Sequence, residues 1–303
     1  MTRLSMNQLT TYRWSFEEDL VRYAESGYDG VGVWLRKLSD FGVERGVDLV
    51  ADTGLSVAGM SWVGGFTGAD AASPRENLAV ARDALRVAAQ LKAACLKVHS
   101  GGPNGHIRGH AMRLFRQALD QLLPFAEEFG VPLAIEPMHQ ACAAEWTLLT
   151  DLASALALVR EYDSPGLKLA MDTYHFPIGP EGWPLLRELA PHLAVVHLGD
   201  IDRPHGVDQW RRPLGQGAAP LGGIVRTLCE AGYTGMLDVK LIGPEFTASD
   251  YETLLVESRA AVADLTTDAM IGPLRDEPGC ATRPDNQPPA VDSPERDQLL
   301  LRP

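Results

Sequence analysis

The most constraining feature of this sequence is a regular alternation of short apolar runs with longer amphipathic stretches. Short apolar runs rich in branched residues predict buried strands, and apolar residues at three- and four-residue spacing predict helices. Such an alternation is typical of a parallel sheet wrapped by helices. We count eight predicted strands, at residues 4–9, 28–35, 55–62, 94–99, 131–137, 167–173, 193–198 and 235–242.

Eight strand–helix units predict an α/β protein with a single (β/α)₈ TIM barrel over residues 1–266. The clearest helical patterns cover residues 15–26, 74–92, 112–128, 150–161 and 221–231. Four glycines come just before predicted strands, where a left-handed residue that ends a helix is expected: Gly27, Gly130, Gly166 and Gly232. A doubly wound sheet is the competing architecture, but no GxGxxG motif follows the first predicted strand.

The last segment of the chain, residues 267–303, has a different composition. Prolines and charged residues dominate it, and it has no sustained hydrophobic period. Such a segment cannot bury enough apolar area to offset the entropy lost on ordering. We therefore predict a flexible C-terminal extension after the barrel.

The charge balance restricts the partners. The chain has 27 Lys and Arg against 40 Asp and Glu, a net charge of -13, whereas proteins that bind nucleic acid or anionic membranes usually present a basic face. We expect a small-molecule substrate, no nucleic acid and no membrane, and leave a homo-oligomer open. Four dispersed cysteines without metal-binding spacing, and an N-terminal segment without an apolar signal core, predict a cytoplasmic location.

Four consecutive predicted strands end on ionisable residues: Glu136, Asp172, His197 and Lys240. Side chains at the C-terminal strand ends of a barrel line its active site, so these four groups should converge. Two carboxylates and an imidazole suit Mn²⁺, Mg²⁺, Co²⁺ or Zn²⁺. The two-residue period of a strand places Lys97 and Asp238 on the inward-facing side of their strands. We therefore predict a buried ionic network one layer below the strand-end residues.

The segments LAIEPMH, MDTYHFP, VVHLGD and AGYTGMLDVKLIG resemble strand ends of the xylose isomerase-like (β/α)₈ superfamily. This superfamily includes sugar phosphate isomerases and epimerases, inosose dehydratases and endonuclease IV-type repair enzymes. Its members hold a divalent metal with Glu, Asp, His and a second Glu. The resemblance implies that Glu136, Asp172 and His197 are metal ligands, with Lys240 in place of the last Glu, and it implies no nucleotide cofactor.

Lys240 weakens the expected metal site. Two cations about 4 Å apart repel by roughly 4 kcal/mol at an effective dielectric of 20. The lysine either loses its proton or replaces the metal and forms ion pairs with Glu136 and Asp172, and we favour the second. A lysine with a lowered pKa is also suited to acid–base or Schiff-base chemistry.

The remaining candidates surround the same strand ends. We expect catalytic roles for Glu136 as a base, for Lys240 and for His175, which follows Asp172 by three residues. Each other candidate has loop packing or a surface ion pair as its alternative. The predicted substrate-binding residues are His99, His139, Arg212, Asp200, Trp34 and Trp62.

The resemblance and the strand-end residues together predict an isomerase or epimerase that acts on a small sugar, polyol or keto-sugar. Its first step is proton removal next to a carbonyl, which a metal would assist. A lyase or dehydratase begins with the same step and stays an alternative, as does a non-catalytic sugar-binding paralogue. The acidic net charge disfavours nucleic-acid repair.

Overall fold

The computed structural model describes residues 3–68, 72–202, 205–206 and 209–271, with side chains described to residue 266. Eight parallel strands pair in chain order and close on themselves through β1 and β8. The predicted TIM barrel is therefore confirmed, and the doubly wound sheet is excluded. The strands are β1 Leu4–Asn7, β2 Gly30–Trp34, β3 Ser56–Val63, β4 Leu96–Val98, β5 Leu133–Ile135, β6 Leu167–Asp172, β7 Leu193–Leu198 and β8 Met236–Val239.

Helices follow the strands and form the outer layer. All five clearest helical patterns correspond to helices, with ends displaced by up to four residues. None of the helices in the described part of the chain is long and apolar enough to cross a lipid bilayer. The helices are α1 Phe16–Glu25, α2 Leu35–Phe41, α3 Val43–Thr53, α4 Pro74–Gln90, α5 Arg108–Phe129, α6 Leu152–Tyr162, α7 Trp183–Leu189, α8 Leu221–Glu230, α9 Pro244–Ala248 and α10 Tyr251–Ile271.

Local sequence signals explain several helix ends. The hydroxyls of Ser15 and Ser73 each accept a hydrogen bond from the backbone N–H of the glutamate three residues later, and the carboxylate of that glutamate accepts one from the serine backbone N–H. Such a capping box satisfies backbone N–H groups that the first turn leaves free. Three of the four predicted left-handed glycines have positive φ. The prediction for Gly166 was wrong, because α6 ends earlier, on Asp163 at φ 45°.

The last helix of the described chain runs past the predicted start of the tail. Helix α10 continues to Ile271, so the boundary at residue 267 falls inside a helix. The rest of the predicted tail, residues 272–303, lies outside the described residues.

The interior of the barrel is built in layers. One of these layers is small and apolar, formed by the cluster Ala58, Cys95, Ala134, Ala170, Val195 and Met236. Because strand side chains alternate in direction, the residue two positions further along each strand faces the same interior. Those positions include Lys97, Glu136 and Asp172. An apolar floor thus supports a layer of charged residues near the C-terminal strand ends.

A buried ion pair also lies outside the barrel interior, between α1 and α2. Lys37 Nζ lies 2.7 Å from Asp19 Oδ2 and donates to the Thr11 carbonyl at 2.8 Å. Thr11 Oγ1 donates to the other carboxylate oxygen of Asp19 at 2.6 Å. Burial outweighs the attraction of Lys37 and raises the pKa of Asp19 to about 7.

We expect Lys37→Met to destabilise the protein by about 3–5 kcal/mol at pH 8, because Asp19 would remain buried without its cation. The pKa of Asp19 is higher in the folded protein than in the unfolded chain. Its protonation therefore stabilises the fold as pH falls below about 7, and this contribution is lost as pH rises through that value. The penalty should accordingly be smaller at pH 5. Urea unfolding at both pH values measures it, with Lys168→Met, a partly exposed strand lysine, as control. Equal penalties at the two pH values would contradict this account.

Candidate active site

Seven buried residues form an ionic cluster at the C-terminal end of the barrel: Lys97, Glu136, Asp172, His197, Arg211, Asp238 and Lys240. The strands fix most of their positions. Asp172 ends β6, while Glu136 and Lys240 each follow a strand by one residue. The structure therefore brings together the four strand-end residues that the sequence singled out.

Lys240 lies between the two carboxylates expected to bind metal. Its Nζ donates to Glu136 Oε1 at 2.8 Å and to Asp172 Oδ2 at 3.2 Å. Burial alone would raise the pKa of Glu136, but Lys240 and then Lys97 outweigh it and hold that pKa well below its usual range. Glu136 is therefore ionised at neutral pH.

Lys97, His197 and Asp238 form the predicted network one layer below. His197 Nδ1 lies 2.9 Å from Asp238 Oδ2, and Lys97 Nζ lies 2.9 Å from His197 Nε2 and 3.7 Å from Glu136 Oε2. Burial and then Lys97 lower the pKa of His197, so its ring is neutral at neutral pH. The neutral ring donates from Nδ1 to Asp238 and accepts at Nε2 from Lys97. Ser5 and Asn7 also donate to Asp238, at 2.7 and 2.6 Å.

Arg211 is the member of the cluster that the sequence analysis missed. Its Nη1 and Nη2 donate to the two oxygens of Asp172 at 2.7 and 2.9 Å, and its guanidinium lies 4.6 Å from the Tyr174 ring centroid. A Cβ on Gly199 would lie 2.5 Å from Arg211 Nη1, so a glycine there leaves room for the guanidinium. With Lys240, Arg211 outweighs burial and holds the pKa of Asp172 well below its usual range.

The arginine predicted from the sequence to bind substrate is Arg212, the neighbour of Arg211. Arg212 is 30% exposed and pairs with Asp202 and Glu245, at 3.0 and 3.1 Å, so it forms the surface ion pairs that were its alternative. Extended chain places neighbouring side chains on opposite sides, and here Arg211 points inward while Arg212 points outward. Alternation makes the two side chains point in opposite directions, but which of them points inward is fixed only by the packing of this loop against Asp172.

Two further predicted substrate-binding residues have structural roles. Asp200 accepts backbone hydrogen bonds from Gly215, Gly217 and Ala219 at 2.9–3.1 Å, so it organises the loop before α8. Trp34 packs beside Tyr12, with ring centroids 5.9 Å apart. In the described structure neither side chain lines the cavity at the ionic cluster.

That cavity is lined by Trp62, Glu136, Met138, Trp146, Gln209, Lys240 and Ile242. Trp62 was predicted, whereas Met138, Trp146 and Gln209 come from loops whose sequences carry no regular pattern. His99 lies behind the wall, where its ring packs edge-on to Trp62 and its Nδ1 lies 3.2 Å from the Trp146 carbonyl oxygen. The cavity thus has aromatic and apolar walls, with the Glu136–Lys240 pair as its charged part.

His139 and His175 contact each other beside the cluster. Their Nδ1 atoms are 2.6 Å apart, and the sulfur of Cys142 lies 3.7 Å from His139 Nε2. Burial and then His205 lower the pKa of His139 to about 4, and burial lowers that of His175 well below its usual range. Both rings are therefore neutral at neutral pH.

The donor set expected for a divalent metal does not fit one as it stands. Glu136 and Asp172 are bonded to Lys240, Asp172 is also bonded to Arg211, and the free nitrogen of His197 accepts from Lys97. In their ionised forms three carboxylates already face three cations, so an added ion would find no uncompensated negative charge. The lysine and arginine side chains therefore occupy the space in which a metal would have to lie to contact these carboxylates and the imidazole.

The chain belongs to the xylose isomerase-like TIM barrel family, whose model matches residues 20–263. A ketose 3-epimerase from Arthrobacter globiformis is 24% identical over 254 residues, which cover 79% of this chain and 84% of the relative. The crystal structure of protein SMc04130 from Sinorhizobium meliloti 1021 has a TM-score of 0.80 and 25% identity, and the match covers 86% of this chain and 98% of that one.

The structure of the IOLI protein with a binding zinc atom has a TM-score of 0.77 at 18% identity, over 89% of this chain and 99% of that chain. At this identity the likeness shows the fold. The named relatives matched by sequence are epimerases and isomerases, and the prediction of an isomerase- or epimerase-type enzyme is confirmed.

We expect Arg211→Met to destabilise the protein by about 3–5 kcal/mol, because Asp172 would lose its bidentate partner inside the barrel. Arg212→Met, one residue away, removes only exposed ion pairs and should cost about 1 kcal/mol or less. Urea unfolding of both variants measures the difference. Similar losses of unfolding free energy in the two variants would show that the buried Arg211–Asp172 pair stabilises the protein no more than the exposed ion pairs of Arg212.

We expect Lys240→Glu to tighten Mn²⁺ binding by about 10³-fold, because it removes a cation of roughly 4 kcal/mol repulsion and adds an oxygen ligand. Isothermal titration of the variant and the native chain with Mn²⁺ tests this. Lys168→Glu makes the same change of charge on a partly exposed strand position and should leave the affinity unchanged. An unchanged affinity in Lys240→Glu would refute the ion-pair explanation.

Proposed function

We propose that this protein isomerises or epimerises a small ketose or related keto-sugar, and that Glu136 and Lys240 together perform the proton transfer next to the carbonyl. One observation carries the proposal. Of the residues lining the cavity in the described structure, Glu136 and Lys240 are the two that carry charge, and they lie 2.8 Å apart. A base and a proton donor thus face the same space.

The two groups have complementary roles. Glu136 is ionised and takes the proton from the carbon next to the substrate carbonyl. The ammonium group of Lys240 donates a hydrogen bond to the carbonyl oxygen and stabilises the negative charge that develops there. In an epimerisation the proton returns to the same carbon on its other face, either from Glu136 or from Lys240, which then recovers a proton from Glu136 across their 2.8 Å hydrogen bond. In an isomerisation Glu136 returns the proton to the neighbouring carbon, while Lys240 gives a proton to the former carbonyl oxygen and takes one from the neighbouring hydroxyl.

The surrounding cluster holds this pair in place. Asp172 accepts from Lys240 while Arg211 fixes both oxygens of Asp172, so the ammonium group has little freedom. Lys97 lies 3.7 Å from the second oxygen of Glu136. Because these partners are fixed before the substrate arrives, stabilising the transition state needs little reorganisation.

The residues that line the cavity offer the kinds of contact that a small sugar makes. Trp62 and Trp146 pack edge to face with centroids 6.0 Å apart, and they present apolar surface suited to the C–H face of a ring or chain. Trp62 Nε1 is buried without a hydrogen-bond partner in the described structure and is available to a substrate hydroxyl. Gln209 adds an amide. The 24% identical ketose 3-epimerase supports a ketose as the substrate class.

Proton exchange in deuterated water tests the proposal. The native chain, incubated with a panel of ketoses and followed by NMR, should incorporate deuterium next to the carbonyl and form the isomer or epimer. Glu136→Gln and Lys240→Met should each slow exchange by about 10²-fold or more. Lys168→Met is the matched lysine control, and prior dialysis against a chelator should leave exchange unchanged.

Three results would decide against the proposal. Exchange that survives in Lys240→Met would exclude the lysine from the chemistry. Exchange accompanied by loss of water rather than by an isomer would establish a dehydratase. Ketoses that bind without any exchange would establish a sugar-binding protein without activity.

A further inference from the structure

Two loops bring two histidines and a cysteine together beside the ionic cluster. His139 precedes a turn of 3₁₀ helix that ends at Cys142, and His175 lies three residues beyond the end of β6. All three side chains are buried. One ligand atom from each lies within 4.8 Å of the others.

We propose that His139, Cys142 and His175 form a binding site for one Zn²⁺, separate from the strand-end carboxylates. Two imidazoles and a thiolate are ligands that Zn²⁺ prefers, and a set of three leaves its fourth position open. This inference does not depend on the proposed ketose chemistry.

The distances require only small adjustments. The two Nδ1 atoms are 2.6 Å apart, and Cys142 Sγ lies 4.0 Å from His139 Nδ1. Zinc–nitrogen and zinc–sulfur bonds of about 2.0 and 2.3 Å in a tetrahedron place two nitrogens about 3.3 Å apart and nitrogen and sulfur about 3.6 Å apart. The ring of His175 must therefore withdraw from His139 by less than about 1 Å, while the farthest pair of ligand atoms, within 4.8 Å of each other, closes by up to about 1.2 Å. Its Nε2 has no hydrogen-bond partner in the described structure, so this shift breaks no second contact.

The hydrogen bonds already orient His139 for a metal. Its Nε2 lies 3.2 Å from the Gly206 carbonyl oxygen and donates its proton there, which leaves a lone pair on Nδ1. His175 Nδ1 donates to that lone pair, so one proton bridges the two rings. Zn²⁺ would take the place of this bridging proton, which would move to the unpartnered Nε2 of His175 so that the ring stays neutral. The Gly206 carbonyl would hold the His139 ring as a backbone acceptor commonly does in zinc sites.

Charge also favours this cluster over the strand ends. A coordinating thiol loses its proton, so bound Zn²⁺ adds a net charge of +1 here rather than +2. None of the three ligand groups forms an ion pair with a lysine or arginine in the described structure, whereas Lys97, Lys240 and Arg211 hold the strand-end donors. A divalent ion would therefore have to displace lysine and arginine groups at the strand ends, whereas at the His–Cys–His cluster Lys240 and Arg211 act on the ligand groups without a direct ion pair.

Titration of the full chain with Co²⁺ tests the proposal, because a cobalt–thiolate bond gives a charge-transfer absorption that carboxylate ligands do not give. We expect one equivalent of Co²⁺ to produce this band and Zn²⁺ to displace it. Cys142→Ser should abolish the band and weaken binding at least about tenfold. Cys229→Ser changes an exposed cysteine and Glu136→Gln changes a strand-end donor, and both should retain the band.

The native chain alone already provides a decisive result, since absence of the thiolate band at saturating Co²⁺ would overturn the proposal whether or not the variants fold. A band that disappears in Cys229→Ser would assign it to that surface cysteine. Binding lost in Glu136→Gln and retained in Cys142→Ser would place the metal at the strand ends. A higher melting temperature with Zn²⁺ in the native chain, absent in Cys142→Ser, would support the site independently.

Discussion

The structure depends on the mutual neutralisation of charges buried inside the barrel. Glu136, Asp172 and Asp238 face Lys97, Lys240 and Arg211. An ionised group in such an interior is tolerated only with a partner of opposite charge and satisfied hydrogen bonds. The apolar floor below and the aromatic walls above exclude water, which strengthens each of these attractions. Stability and chemistry are therefore properties of the same set of contacts.

A lysine at the end of β8 gives this family member a cation that is part of the chain. The Lys240 ammonium lies between Glu136 and Asp172, the two carboxylates that the resemblance implied as metal ligands. A lysine is a single charge with directed N–H groups, so it polarises less strongly than a divalent ion but needs no ligand set. Lys97, one layer below, also opposes metal binding, because it donates a hydrogen bond to the lone pair on His197 Nε2.

Loop residues complete the candidate site above the strand-end residues. The segment before α8 inserts Arg211 against Asp172, and the loop after β5 supplies both Trp146 in the cavity wall and the His139–Cys142 turn. Active sites of this fold are commonly built this way, with a rigid strand layer below and variable loops above. The His–Cys–His cluster joins two of these loops, so a metal there would tie part of the cavity wall together.

The sequence determined the barrel and the four strand-end residues. Strand alternation and helix periodicity are local consequences of side-chain geometry, and the spacing of Glu136, Asp172, His197 and Lys240 follows the repeat of the strands. The inward direction of Lys97 and Asp238 followed from the same two-residue period.

Only the tertiary structure decided the contacts made by loops, because a loop has no period from which side-chain direction can be read. Arg211 and Arg212 are adjacent and chemically identical, yet one is buried against Asp172 and the other pairs on the surface. Asp200 looked like a strand-end site residue, but the backbone N–H groups of a following loop occupy its carboxylate. The meeting of His139 with His175 depends on how two separate loops fold over the barrel. Such contacts are fixed by the packing of segments distant in the chain, and the local sequence holds no record of them.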